Sequence, residues 1–300
     1  MKMNKSTSFE DAARVWLSIK RLEVKGNTYA ESYDRTINKI LLPRMQGCKL
    51  GDIDRLYVAD LMNELADIYS DSTLNKCQLV LKGIMKEATY AGAQLVPLPR
   101  IKVRSKIGLQ QKRTYSETEA TQLRQYCHTH PWGLSVQLML DLGLRCSEML
   151  ALRWEDLDLK AGTVKINRGC VDINGKPVVD VPKSKSSIRE LPIPADLTTQ
   201  LRHLERGSIH SGYVINTGEK LMTPANYTKR YNRLFADLEI ETALRRLSPH
   251  ELRHTCGTLL YQRTGDLYAV SKFLGHSSVA ITAKYYVHSD VEMLRERLGI

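Results

Sequence analysis

The sequence has no paired cysteines. Its six, Cys48, Cys77, Cys127, Cys146, Cys170 and Cys256, are scattered, and no two of them make a C-x-x-C. That argues against a zinc ribbon or a disulfide framework and suits a reducing compartment. No apolar run is long enough to span a bilayer, and the first residues, MKMNKSTSFEDAARVW, lack the apolar stretch of a signal peptide. A cytoplasmic protein without membrane contact is expected, with the N-x-S/T matches at Asn4 and Asn226 read as chance. Internal repeats and low-complexity tracts are missing as well. Acidic residues are too few to balance the basic ones: the formal net charge is +11 and the pI about 9.3. Such an excess favours a polyanionic partner, most often nucleic acid. A hydrophobic content of 42% over 300 residues excludes bulk disorder and allows one large domain or two ordinary ones.

What is present divides the chain. Residues from about 8 to 95 read as helical, within a first domain of residues 1–99. FEDAARVWLSIKRL places Phe9, Ala12, Ala13, Trp16 and Leu17 at helical spacing, and TYAESYDRTINKILLPRM repeats the pattern and stops near Pro43. A later helix, STLNKCQLVLKGIMKEATYAG, is expected to be capped by Ser72 or Thr73 and stopped by Gly92. Residues 100–113 carry Arg100, Lys102, Arg104, Lys106, Lys112 and Arg113 and no acidic residue. By composition this is a linker, either a solvated tether or a strip along phosphates. Residues 114–300 mix helices and strands. Ser116 and Glu119 form a capping box, WGLSVQLMLDLG is a buried helix stopped by Gly143, and Asn174-Gly175 turns a hairpin before a second, polar turn at KSKSS. The fold class expected is mainly α with a small antiparallel sheet, an α+β chain.

Three stretches carry chemistry. In SPHELRHTCGTLL, Ser248 caps a helix, Pro249 takes its first position and Glu251 closes a capping box. At 100° per residue, Leu252, Cys256, Leu259 and Leu260 share one face, while His250, Arg253 and Gly257 share the other. A histidine and an arginine near a helix N-terminus outline a phosphate site. His250-Glu251-Leu252-Arg253-His254 also matches H-E-x-x-H, the zinc metalloprotease pattern, although Glu251 already has a capping role. In DLGLRCSEMLALRWEDLDL, Arg145 precedes a helix buried through Met149, Leu150 and Leu152, with Glu148 three residues on, in reach of the guanidinium. LGHSSVAITAKYYVH brings His276, Tyr285 and Tyr286.

Taken in order, G-L-R-x-S-E-x-L-x-L-x-W-x-D, H-E-L-R-H and L-G-H-S-S with a tyrosine soon after resemble the tyrosine recombinase (phage integrase) family. The resemblance covers roughly residues 113–300, and more loosely, by length and helicity, the helical block before it, which would be that family's core-binding domain. It leaves no room ahead for a separate arm-binding domain. It implies a site-specific recombinase that cuts duplex DNA with a tyrosine and rejoins it through a 3′-phosphotyrosine, without metal or cofactor, for integration or excision of a mobile element. Arg145 and Arg253 would clamp the phosphate, Glu148 would support Arg145, and His250 and His276 would hydrogen-bond the phosphate or move protons. A hairpin lysine would protonate the leaving oxygen: Lys183, followed by Ser184, fits the family turn better than Lys185. Tyr286 has a histidine two residues later, as the family nucleophile commonly does, and Tyr285 is the alternative. The expected partners are nucleoid DNA and a homo-tetramer on paired sites. The tail SDVEMLRERLGI would dock in trans, and accessory DNA-bending or directionality proteins would assist. A DNA-binding regulator that has kept the fold but lost cleavage is the alternative function.

Overall fold

The computed structural model describes residues 2–24, 26–106, 113–173, 175–180, 187–205, 212–215 and 220–286, with backbone alone at 27 and 284–286. The chain divides into two compact units, Met1–Gln111 and Lys112–Ile300.

The first unit is helical among its described residues. α1 (Phe9–Glu23) starts at Ser8, whose hydroxyl accepts the Asp11 amide, and buries the five apolar residues its spacing selected. α2 (Gly26–Thr28) opens a helical stretch that widens over Tyr29–Asp34 and Ile37–Leu41 and tightens at Leu42–Arg44, around Pro43. α3 (Arg55–Ala66) is capped by Asp54. α4 (Asp71–Tyr90) is capped two or three residues ahead of the expected positions: Ser70 takes the N-cap position, not Ser72 or Thr73, which lie inside the first turn. A Cβ on Gly83 would stand 2.8 Å from the Trp16 ring, so α1 and α4 pack in close approach there.

The basic run is not a free tether over its described first half. Gln78 on α4 brackets Ile101, accepting its amide at 3.1 Å and donating to its carbonyl at 2.8 Å. Arg100 donates to Asn75, Lys106 pairs with Asp67 at 2.9 Å, and Ile101 and Val103 lean on the helical core. The apolar residues between the charges cause this, because alternation lets one side of an extended strand pack while the other stays wet.

In the second unit α5 (Glu117–Thr129) opens on the Ser116–Glu119 capping box. It packs with α6 (Gly133–Asp141), a largely apolar helix at the centre of the core that also buries Ser135 and Gln137. Gly143 follows at φ +58°, and α7 (Cys146–Ala151) begins immediately beyond. The strands do not form one string of hairpins. β1 (Leu157–Asp158), β2 (Thr163–Ile166) and β5 (Arg189–Pro192) make one antiparallel sheet in the order β1-β2-β5, while β3 (Gly169–Ile173) and β4 (Lys176–Asp180) pair separately about the Gly175 turn. Register explains the pairing: Val164 faces Leu191, both buried, so β5 must join β2 to keep its apolar side inward. α8 (Ala195–Glu205), α9 (Pro224–Thr242), α10 (Pro249–Thr264), α11 (Leu267–Leu274) and α12 (Val279–Tyr286) complete the unit.

α10 corrects the two-faced reading. It is buried nearly all round, Arg253, His254, Thr255 and Gly257 included, because α6 covers one side and α11 another. Leu260, assigned to the packed face, is half-buried, while His250 is exposed. No described helix is long and apolar enough to cross a membrane.

Gly143 is where α6 turns into the site. Its φ is left-handed, and a Cβ there would lie 2.6 Å from Leu274 Cδ2 and 3.2 Å from Cys256 Sγ. Gly143→Ala combines backbone strain with overpacking, so the second unit should lose about 2 kcal/mol or more in urea or thermal unfolding. A loss under about 0.5 kcal/mol would show that the turn relaxes freely.

Candidate active site

The site is assembled from helix ends. Arg145 sits just before α7, in extended conformation, and its amide donates to Glu148 Oε2 at 2.9 Å while its Nη1 donates to Glu148 Oε1 at 2.6 Å. Its Nη2 reaches the Gly275 carbonyl at 3.3 Å. The side chain keeps 36% of its surface, against 5% for Glu148, so the arginine spans from the core to the surface. The carboxylate does double duty, capping α7 and holding the guanidinium.

Sequence reasoning paired Glu148 with Arg145 alone. The structure brings two further arginines to it. Arg189, the first residue of β5, donates to both carboxylate oxygens, at 3.2 and 3.0 Å, and through Nε to the Phe273 carbonyl at 2.8 Å. Arg253 Nη1 lies 3.8 Å from Glu148 Oε2. Burial alone would raise the Glu148 carboxyl, but the bonds and charge of Arg189, with the charges of Arg145 and Arg253, outweigh it and hold Glu148 below the ordinary carboxylate range. A signal for Arg189 was present: it lies two positions before Leu191, so period two puts it on the buried side of the strand.

Arg253 is almost fully buried and bonds the carbonyls at two helix ends, Gly143 after α6 at 2.6 Å and Leu274 at the close of α11. Helix C-termini favour a cation, which is why an arginine can be buried there. Burial first, then the charge of Arg145, pull it down to about 10, so it stays charged at neutral pH. Each Nη carries two hydrogens, so a carbonyl and an anion can be served together.

α11 stops at Gly275, left-handed at φ +67°, which delivers His276 to the same place. His276 Nδ1 lies 2.8 Å from Thr282 Oγ1 on α12. Thr282 is fully buried, so this contact ties α12 to the site; the sequence reading did not single it out. Burial, then the charges of Arg253, Arg145 and Arg189, with His250 beyond, push the His276 ring down to about 4. It is neutral at pH 7 and able to bond on both sides. His250 is exposed on the first turn of α10, edge-on to His254 with ring centroids 4.8 Å apart.

Arg145, Glu148, His250, Arg253 and His276 thus converge. Tyr285 and Tyr286 lie on the last turn of α12, three and four residues after Thr282. Lys183, Lys185 and Lys112 lie outside the described residues, the first two in the connection from β4 to β5. Arg113 joins α10, its amide and Nε 3.4 and 3.5 Å from Glu251 Oε1. The remaining basic-run residues belong to the first unit. In the metalloprotease pattern the glutamate is already engaged. Glu251 Oε2 accepts the Ser248 amide at 2.7 Å as a cap, and among the described residues no three histidine, cysteine or acidic side chains converge as a metal-binding group. Cys146, next to Arg145, is pushed up to about 12 by burial and remains a thiol.

The sequence model of the phage integrase family matches residues 111–293. The chain belongs to the phage integrase family. Its members, the tyrosine recombinases, cleave and rejoin DNA through a tyrosine. A tyrosine recombinase XerC-like protein of Caldanaerobacter subterraneus subsp. tengcongensis is 26% identical over 93% of this chain and 78% of that one. The ICEBs1 integrase of Bacillus subtilis is 28% identical over 49% of this chain and 42% of its own length. Among solved structures, the Tn1549 transposon integrase in complex with a circular intermediate DNA superposes with a TM-score of 0.81 at 17% identity, over 96% of this chain and 98% of that one. The shared motifs of this recombinase are therefore read on a matching fold.

The His276 assignment has a direct consequence. Between its unfolded pKa of about 6.5 and its folded value of about 4, the unfolded chain binds a proton that the folded chain refuses. This site's share of stability is therefore full above about pH 6.5 and falls as pH drops toward about 4. Ring-proton NMR should place the His276 midpoint near 4; a midpoint near 6.5 would contradict the crowding of cations around it.

Proposed function

We propose that the chain is a site-specific DNA recombinase that cleaves and rejoins duplex DNA through a 3′-phosphotyrosine, serving integration or excision of a mobile element. The observation that carries this reading is the cluster of three arginines about one buried carboxylate, with a neutral histidine at its edge. One negative charge against three positive ones leaves the site two charges short of neutral, which suits a phosphodiester whose transition state gains negative charge.

Arg145 and Arg253 clamp the non-bridging oxygens. The tyrosine hydroxyl attacks phosphorus, the bond from phosphorus to the 5′-oxygen breaks, and that oxygen takes a proton to leave as a hydroxyl. Lys183 supplies this proton, with Lys185 the alternative; His250 assists proton movement at the exposed edge. His276 holds an oxygen, and the phosphate's charge offsets the surrounding cations, so its pKa rises once DNA is seated. Rejoining is the reverse attack by a 5′-hydroxyl, and no metal is required. Tyr286 is the nucleophile: it stands one full turn beyond Thr282, and His288 follows two residues later. The first unit serves as the core-binding domain, and the basic run from Arg100 follows the phosphates. The working assembly is a tetramer on paired sites with the tail docked in trans, assisted by accessory DNA-bending or directionality proteins.

The test is covalent trapping in EDTA on a nicked suicide duplex, built on the sequence the protein selects from a random duplex pool. The wild type should give an SDS-resistant protein–DNA band, Tyr285→Phe should keep it and Tyr286→Phe should lose it. Arg145→Ala should slow its formation by about a hundredfold or more. A band lost only with Tyr285→Phe moves the nucleophile by one residue. A bound duplex with no band from the wild type favours the regulator that binds without cleaving.

A further inference from the structure

We infer that Arg189 is a positioning residue for phosphate cleavage. One guanidinium joins Glu148 to the Phe273 carbonyl and thereby fixes the arginine clamp against the turn that carries His276. This rests on the recombinase reading above.

Three segments far apart in sequence meet at this side chain. Arg189 begins β5, and its carboxylate partner lies 41 residues earlier on α7 while its carbonyl partner lies 84 residues later on α11. Its side chain is 6% exposed, and Glu148, Ser187 and Phe273 already take four of a guanidinium's five N–H donors, so little is left to offer a substrate. Arg189 therefore acts through its neighbours. Bonding both oxygens of Glu148 leaves the carboxylate a single orientation, the one in which Oε1 meets Arg145 Nη1. Bonding Phe273 fixes the last turn of α11, whose next carbonyl, from Leu274, accepts from Arg253, and whose cap, Gly275, accepts from Arg145. Arg189 also donates to the Ser187 carbonyl at 3.2 Å, in the short approach to β5. A bidentate fork that also offers an Nε–H is a property of arginine alone, and lysine cannot make all these bonds from one point charge.

The charges facing Glu148 are Arg145 from its own helix, Arg189 from β5 and Arg253 from α10; His276 and His250 titrate beside the same arginines. Without Arg189, burial opposes ionisation of Glu148 against two counter-charges instead of three, and its pKa rises. The clamp should then fail progressively as pH falls.

The test compares wild type, Arg189→Met and Arg189→Lys as full chains on the selected suicide duplex, following DNA affinity and the rate of covalent-band formation at pH 6 and pH 8. Arg189→Met should bind DNA within about threefold of wild type and cleave at least a hundredfold slower at pH 6. Its deficit should shrink by at least threefold at pH 8. Arg189→Lys should fold, bind equally well and cleave about tenfold slower, which keeps the test open should the Met variant not fold. Either variant cleaving at the wild-type rate, or a deficit of equal size at both pH values, overturns the positioning role. A wild type that forms no band overturns the recombinase reading and this inference with it, whereas a wild-type band beside unimpaired Arg189 variants overturns this inference alone.

Discussion

Glu148 is a carboxylate taken out of water with three arginines around it, and the rest of the site is arranged by that fact. An isolated buried carboxylate would cost several kcal/mol. Here it is capped by an amide, bonded by two guanidinium groups and flanked by a third, so it stays ionised. Removing the carboxylate would leave Arg189 and Arg253 buried without a counter-charge, which makes the geometry hard to relax. The cluster is stable without being neutral, and the positive surplus remains for an anion arriving past the part-exposed Arg145.

Helix ends do the rest. The carbonyls that hold Arg253 come from two turns, at Gly143 and at Leu274, each needed because a left-handed glycine stops a helix there. The same glycines deliver the residues that follow them, Arg145 after one and His276 after the other. Packing, chain reversal and phosphate recognition are thus served by the same few atoms. A polar site of this kind is rigid because its supports are backbone groups in the core rather than side chains on loops.

Much of this was legible in the sequence. The capping boxes at Ser116 and Ser248, the apolar α6 and the stop at Gly143 follow from local rules, and all formed as expected. Arg145, Glu148, Arg253 and His276 stood in motifs whose order pointed to one family. The rest depended on tertiary contact. Arg189 and Thr282 matter because of partners 41 and six residues away; strand period puts Arg189 on a buried side, but no local pattern names those partners. The two-faced reading of α10 failed because periodicity describes a helix on a surface, whereas α10 lies between α6 and α11 and buries both sides. The strand order was not legible locally, because it is the burial of Leu191 opposite Val164 that brings β5 back to β2.

The central claim is that the arginine cluster about Glu148 is the seat of the scissile phosphate. It is tested most directly by an experimental structure of the Tyr285→Phe/Tyr286→Phe double variant on the selected duplex. One phosphate should lie with its non-bridging oxygens about 3 Å from Arg145, Arg253 and His276, while Glu148 stays bonded to Arg189. A duplex seated with every phosphate distant from Arg253, or an Arg145 turned away from Glu148 to reach one, would contradict it.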